Sequence, residues 1–214
     1  MQTINFSDCD RQFLKETFGL VRVLEMPELT NWLSVQEIKL EEYENIVFNK
    51  MKNYAALRVD DLSEYEHFGK LISPIFNFAE LDTDDFRFFA QRDIAATVGD
   101  IQLRGRVDGM VASGSSQPRL PFFCLNEFKK SLDAPGDPAG QCLAAMLAAQ
   151  TLNNNNLSIF GIYIMGRNWY FTILKEKKYA ISREFDESEE DIFDIVKILK
   201  KLKINIVDTM KTLS

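Results

Sequence analysis

The chain reads Arg104-Gly105-Arg106-Val107-Asp108-Gly109 in one apolar run and Leu125-Asn126-Glu127-Phe128-Lys129 in the next. Each run predicts a strand, yet each carries charged residues where a sheet normally buries hydrocarbon. Because side chains alternate along a strand, Glu127 and Lys129 would share one face while Phe128 points to the other. Two carboxylates and an ammonium group would then meet at neighbouring strand ends. A hard divalent cation and a deprotonated water require this combination of groups.

The composition is that of a folded domain without a membrane-spanning segment. The chain has 214 residues, of which 46% are hydrophobic and 27% charged, and these values predict a folded domain with a sizeable core. No apolar run reaches the roughly 18 residues of a membrane span, so we expect no membrane association. The first ten residues lack a basic segment followed by an apolar one, which predicts no secretory signal and a cytoplasmic location.

Histidine and cysteine content excludes several kinds of site. His67 is the only histidine, so a site built on several histidines is impossible, and its place on a predicted helix indicates a surface or boundary residue. Cys9, Cys124 and Cys142 are far apart in the sequence, which favours free thiols over a disulfide framework or a zinc site. The chemistry is therefore expected to depend on carboxylates and lysines.

The charge balance argues against a wholly basic, nucleic-acid-binding surface, because the formal net charge is −7. A local basic cleft remains possible beside the alternative of an ordinary solvated face. The basic residues near the two runs are Arg92, Arg104, Arg106, Arg119, Lys129 and Lys130.

Hydrophobic periodicity predicts helices first, then strands alternating with helices. Residues 8–19 and 61–78 have helical spacing, the second interrupted by Pro74, and a longer helix is predicted to begin at a capping box of Ser34 and Glu37. Alternation then predicts a hairpin that turns at Gly99-Asp100.

The second half of the chain continues as an alternation of strands and helices. The apolar strand at 121–129 is followed by a loop at 133–138 and a helix of small residues at 139–150, expected to be the most buried helix. Three strands and an amphipathic C-terminal helix complete an α/β fold with a mixed central sheet flanked by helices. Residues 1–58 are predicted to be an N-terminal helical elaboration of a core at 59–214, the two forming one compact unit.

At this point the residues match a family pattern. A strand that ends in Asp108, a second that carries Glu127-Phe128-Lys129, and a helix that opens with Gln141 together resemble the PD-(D/E)XK nuclease superfamily, which has the restriction-endonuclease-like fold. The resemblance covers about residues 60–175. Valine stands before Asp108 where the name of the motif has proline, and no appended recognition domain is apparent.

The resemblance implies hydrolysis of phosphodiester bonds in nucleic acid, with DNA as the expected substrate. Asp108, Glu127 and the backbone carbonyl of Phe128 would hold Mg²⁺ or Mn²⁺, and Lys129 would orient or help to deprotonate the attacking water. Gln141 would contact the lysine, the metal-bound water or the nucleic-acid backbone.

The resemblance also implies a glutamate from the first core helix near the metal, for which Glu66 is the candidate and Glu64 the rival. Many nucleases of this class act as homodimers, so a dimer is possible.

Other interpretations stay open on the sequence alone. Asp108-Gly109 is also a strong turn dipeptide, and Glu127 with Lys129 could be the charge pair of an edge strand. In an unrelated α/β protein the three groups would lie far apart. Alternatively, a chain with the nuclease fold could be catalytically inactive and serve as a binding or interaction module.

Overall fold

The structure, a computed structural model, describes residues 2–131, 136–155 and 157–213, which form a mixed nine-stranded sheet flanked by helices. The predicted loop at 133–138 lies partly outside these residues. The strands are β1 (Gln2–Asn5), β2 (Val21–Arg22), β3 (Phe86–Val98), β4 (Ile101–Ser113), β5 (Arg119–Lys129), β6 (Ile159–Met165), β7 (Asn168–Lys175), β8 (Lys178–Ile181) and β9 (Phe185–Asp186). The helices are α1 (Arg11–Phe18), α2 (Pro27–Leu33), α3 (Glu42–Arg58), α4 (Glu64–His67), α5 (Ser73–Phe78), α6 (Pro138–Asn153) and α7 (Asp191–Leu213).

The sheet has the order β1-β4-β5-β6-β7-β8-β2, with β3 paired to β4 and β9 paired to β7. The predicted hairpin is confirmed, because β3 and β4 are antiparallel and joined at Gly99-Asp100. Strands β5 and β6 are parallel, so the chain must cross over between them, and α6 makes that crossing. The predicted α/β class with a mixed, helix-flanked sheet is therefore confirmed.

Because side chains alternate between the two faces of each strand, each face of the sheet has its own hydrophobic core. On β5, Cys124 and Phe128 join the core beneath α2, α3, α5 and α7, whereas Leu125 joins the core beneath α1 and α6. Glu127 and Lys129 have the same parity as Leu125 and so belong to the face that α6 covers.

Helix α6 is buried along most of its length, as the small residues predict. Every residue from Pro138 to Ala149 is buried. A Cβ atom added at Gly161 of β6 would lie 2.4 Å from the sulfur of Met146, so the helix and the sheet approach each other as closely as the glycine permits. Close packing of this kind fixes the start of α6 beside β5 and β6.

The predicted start of the long helix is wrong. Ser34 ends α2 and its hydroxyl donates to Gln36, whereas α3 begins seven residues later than the predicted start, with Glu41 at the N-cap. Glu44 and Glu41 form the capping box there, since the side chain of each accepts a hydrogen bond from the backbone N–H of the other. The reciprocal pair satisfies two N–H groups, so the helix begins at this point.

The predicted helix at 61–78 contains a change of helical type. Residues Phe68–Ile72 form a π-helical turn between α4 and α5, and Pro74 is the second residue of α5. A proline is tolerated in the first turn of a helix because the N–H that it lacks has no helical partner there.

The N-terminal 58 residues contribute strands as well as helices. Strand β1 pairs parallel with β4, and β2 pairs parallel with β8. Trp32 of α2 is fully buried and donates from its indole N–H to the carbonyl of Ile198 in α7 at 2.9 Å. This segment therefore shares a core with the rest of the described chain. Within residues 2–131, 136–155 and 157–213, no helix combines the length and apolar character needed to cross a bilayer.

Candidate active site

The site lies at a gap in the pairing of β4. On one edge β4 pairs with β3, and on the other it pairs with β1 over Ile101–Arg104 and with β5 over Gly109–Ser113. In the described chain, residues 105–108 have no strand partner on that second edge. Beyond Asn126, β5 pairs only with β6, so β4 and β5 diverge between Asp108 and Glu127. We call this opening the fork.

Asp108 takes the place of a backbone partner inside the fork. Its carboxylate oxygen Oδ2 accepts a hydrogen bond from the backbone N–H of Phe128 at 2.7 Å. The turn interpretation is wrong, because Asp108 and Gly109 lie within β4 and not at its end. The alternative of an unrelated α/β protein, in which Asp108, Glu127 and Lys129 lie far apart, is also wrong. The hydrogen bond from Phe128 holds Asp108 against the strand segment that carries the other two residues.

The strand opposite Asp108 is irregular at the same level. Ala90 pairs with Gly109 and Arg92 pairs with Val107, but Gln91 makes no assigned pair and has φ +50°. Few residues other than glycine adopt this conformation, which costs free energy and concentrates at functional sites.

A change in the buried face accompanies this irregularity. Phe86 and Phe88 belong to the core beneath α5, whereas Ile94 and Ala96 belong to the core beneath α6, although all four occupy even positions. The hairpin therefore changes its buried face at the level of Asp108.

Glu127 and Lys129 form an ion pair on the face covered by α6. The Lys129 ammonium lies 2.7 Å from Oε1 of Glu127. Strand β5 lies between β4 and β6, but its pairing with β4 stops at Asn126, so the alternative of an edge-strand charge pair stays open at Glu127 and Lys129. Lys129 is half-buried, and burial is the largest single effect and lowers its pKa, but the hydrogen bond to Glu127 and the negative charges around it together raise the pKa.

The two carboxylates hold their protons unusually tightly. Burial, followed by the charge of Asp108, raises the pKa of Glu127 from 4.5 to about 7, against the opposing effect of Lys129. Burial also raises the pKa of Asp108, although the N–H of Phe128 and the charge of Lys129 oppose the increase. Burial therefore disfavours the two charged carboxylates more than the N–H of Phe128 and the charge of Lys129 favour them, a condition common at catalytic and metal sites.

Of the two candidate glutamates of the first core helix, Glu64 is the one that lies beside Asp108. Glu64 lines the cavity next to Asp108, and its charge contributes to the raised pKa of both Asp108 and Glu127. Glu66 instead accepts hydrogen bonds from the backbone N–H and hydroxyl of Ser63, which lower its pKa to about 2. The sequence contained this signal, since Ser63-Glu64-Tyr65-Glu66 is itself a capping box.

Gln141 lies in the first turn of α6 and is buried. Its side-chain nitrogen is close to Gly136, where an added Cβ atom would lie 3.0 Å away. The next residue, Cys142, directs its thiol to the carbonyl of Leu125 on β5 at 3.6 Å. The start of α6 is thus placed across the strand that leads to Glu127.

A cavity of about 390 Å³ opens beside Asp108, between α4 and the irregular part of β3. It is lined by Glu64, Tyr65, Phe68, Ala90, Gln91, Arg92, Asp108 and Phe128. Of the basic residues in the sequence prediction, Arg92 lines this cavity, whereas Lys129 is paired with Glu127 on the face that α6 covers. Arg104 and Arg106 line a different cavity near Asp93, with which Arg106 forms an exposed ion pair.

His67 is not a surface or boundary residue, so that prediction is wrong. It is buried, and its Nε2 lies 2.5 Å from Oε1 of Glu187, which has no exposed surface. The other oxygen of Glu187 accepts a hydrogen bond from the indole N–H of Trp169 at 2.7 Å. This network holds α4, and with it Glu64, against the sheet. Its sequence signal was weak, because His67 and Glu187 are 120 positions apart.

No known family model matches the chain, and no curated protein matches it significantly. In the part of the chain that the structure describes, no group of three or more histidine, cysteine, aspartate or glutamate side chains is arranged to hold a metal ion. Asp108 and Glu127 are therefore the two side-chain carboxylates on which a metal site in the fork would depend.

Proposed function

We propose that the chain is a divalent-metal-dependent phosphodiesterase of the PD-(D/E)XK type with the restriction-endonuclease-like fold, acting on nucleic acid and most simply on DNA. The observation that supports this proposal is the meeting of Asp108, Glu127 and Lys129 at the fork. The three residues come from two strands that diverge at this level, and the hydrogen bond from Phe128 to Asp108 holds the two segments together.

The donor set fits a hard divalent cation. Asp108 and Glu127 offer carboxylate oxygens, and such cations prefer oxygen ligands and retain several waters, so two side chains are sufficient. Burial raises the pKa of both carboxylates, and the charge of Asp108 raises that of Glu127 further, which is the electrostatic condition that a bound cation relieves. When bound, Mg²⁺ or Mn²⁺ would supply charge neutralisation and a more acidic water.

The side chains around this position have separate roles in the proposal. Asp108 and Glu127, with the carbonyl of Phe128, hold the cation. Lys129, which is already ion-paired to Glu127, orients the attacking water and stabilises negative charge on the phosphate. Glu64 takes the role that the resemblance gives to a helix glutamate, and Gln141 is a positioning residue at the start of α6.

The test is titration with Mn²⁺ and Mg²⁺ by calorimetry and thermal shift, since it requires no assumption about the substrate. We expect saturable stabilisation of the wild type and its loss in Asp108→Asn, whose amide oxygen can still accept the N–H of Phe128. The matched control is Asp93→Asn on the adjacent strand, which removes an exposed aspartate and should bind metal as the wild type does.

Cleavage assays then separate metal binding from catalysis. Lys129→Met should retain metal binding and lose hydrolysis of DNA, whereas Asp108→Asn should lose both. Full hydrolysis by Asp108→Asn would contradict the proposed site.

A second candidate, a catalytically inactive protein of this fold that binds a partner, is favoured by one specific observation. Lys129 is paired with Glu127, and Asp108 is bonded to the N–H of Phe128, so the charged groups already have partners within the protein. Indifference of both the wild type and Asp108→Asn to metal would select this function.

A further inference from the structure

The cavity beside Asp108 is lined by Arg92 as well as by the carboxylates of Asp108 and Glu64, and Arg92 forms an ion pair with neither of them. Arg92 donates from Nη1 to the carbonyl of Ala90 at 2.6 Å and to that of Gln91 at 3.3 Å. Its Nε is buried without a hydrogen-bond partner, and among the described residues no carboxylate forms an ion pair with it. A guanidinium group has five donors and is always charged, so most of its binding capacity remains available.

The position of Arg92 is fixed by the irregularity of β3. The positive φ of Gln91 turns the carbonyls of Ala90 and Gln91 toward the guanidinium group. The guanidinium carbon also lies 5.7 Å from the centre of the Phe89 ring. Both contacts restrict the side chain, and a restricted donor loses little entropy when it binds a ligand.

The opposite wall of the cavity is aromatic. Tyr65 lines it and remains 84% exposed, and Phe68 lies behind it with its ring 5.7 Å from that of Phe128. An exposed tyrosine beside a bound phosphate offers a surface on which a nucleobase can stack. In a duplex both faces of an internal base are already covered, so only an unpaired base can use this surface.

We propose that this cavity binds an unpaired nucleotide of the substrate, with Arg92 holding its phosphate and Tyr65 stacking on its base. The volume of about 390 Å³ suits a single small group and not a duplex. This inference rests on the proposed nuclease function and refines it, because it makes single-stranded or frayed nucleic acid the preferred substrate. The phosphate held by Arg92 would neighbour the one at Asp108.

The test is fluorescence anisotropy with a short labelled oligo(dT), alone and hybridised to oligo(dA). Binding is measured in Ca²⁺ and again in EDTA, over a series of salt concentrations. We expect the single strand to bind more tightly than the duplex. Arg92→Gln should weaken binding about tenfold and reduce the slope of log affinity against log salt by about 0.7, the value for one lost phosphate contact.

Two further variants separate the effect of the positive charge of Arg92 from the effects of its planar shape and of stacking on Tyr65. Arg92→Lys should keep the salt slope while losing affinity, because an ammonium group cannot reproduce the fork of the guanidinium. Tyr65→Ala should lose about tenfold in affinity with an unchanged salt slope. The control is Arg106→Gln, which removes an exposed arginine of the neighbouring strand and should bind as the wild type does. Thermal unfolding of each variant establishes that it is folded.

The outcomes distinguish this inference from the proposed function. Binding that depends on metal and Asp108 but not on Arg92, or equal binding of duplex and single strand, would overturn the inference and leave the nuclease proposal intact. Binding that depends on Arg92 and Tyr65 in EDTA, without any effect of metal, would support the nucleotide cavity and contradict the nuclease proposal. Failure of the single strand to bind under both conditions would also overturn the inference.

Discussion

Replacing Glu127 with glutamine should change how stability depends on pH, because the folded protein raises the pKa of this carboxyl group from 4.5 to about 7. The folded state therefore binds this proton more tightly than the unfolded chain. The contribution of Glu127 to stability is greatest below pH 4.5, falls as pH rises through the folded pKa, and is lowest above about pH 7. At about 1.4 kcal/mol per pH unit, the ionised carboxylate costs about 3 kcal/mol.

The assay is chemical denaturation of the wild type and Glu127→Gln across the pH range. Because glutamine does not ionise, the wild type should lose about 2 kcal/mol more than the variant between about pH 5 and pH 8. The ion pair with Lys129 requires the ionised carboxylate, so the variant lacks it only above about pH 7. The pKa of about 7 already includes the favourable effect of Lys129, so the ion pair does not reduce this difference further.

A matched control is Glu66→Gln, which removes an exposed glutamate whose pKa is lowered to about 2 by its bonds to Ser63. A lowered pKa gives stability that is lost only as pH falls toward about 2, so this variant should follow the wild-type profile from pH 5 to 8. Parallel profiles of the wild type and Glu127→Gln would refute the reasoning, because they would mean that Glu127 ionises normally in the folded protein.

Two further predictions concern the framework that positions the site. His67→Ala should reduce stability by about 3 kcal/mol in chemical denaturation, because it leaves one oxygen of the buried Glu187 side chain without its imidazole partner, with Trp169 bonded only to the other oxygen. An effect below about 1 kcal/mol would contradict the assigned network. Gly161→Ala should cost about 2 kcal/mol by forcing its methyl group against Met146, 2.4 Å away. Gly69→Ala, at a helical glycine with no atom within 4 Å of the added Cβ, should instead be neutral or stabilising in the same chemical denaturation experiment.

The sequence could predict the elements whose signals are local. Alternation placed Glu127 and Lys129 on one face, and small residues identified α6 as the most buried helix. The hairpin was predictable because Gly99-Asp100 supplies a turn between two alternating runs. Each of these signals is contained within about a dozen neighbouring residues.

The features that form the site could not be predicted from the sequence, and the reason is physical. The fork exists because β1 and β5 share one edge of β4 and leave a gap between them, and that arrangement joins segments about 100 residues apart. The positive φ of Gln91 could not be recognised from the sequence, because the apolar residues on both sides of Gln91 occupy even-numbered positions. The choice between Glu64 and Glu66 could have been made from the sequence, because the capping box of Ser63 and Glu66 engages the Glu66 side chain at the start of the helix.

The distribution of unsatisfied polar groups argues that the fork is not a purely structural feature. Among the described residues, three buried side-chain atoms lack a hydrogen-bond partner, and two of them, Arg92 Nε and Asn126 Nδ2, lie on the strands next to β4 beside the fork. Burial of the Glu127 carboxylate adds a further free-energy cost at the same place. By contrast, Leu125, two residues earlier on the same face of the strand, is apolar and fully buried. Apolar side chains would pack such a fork with greater stability. Local costs of this kind collect at ligand sites, and the proposed cation at the carboxylates and the proposed phosphate at Arg92 would offset them.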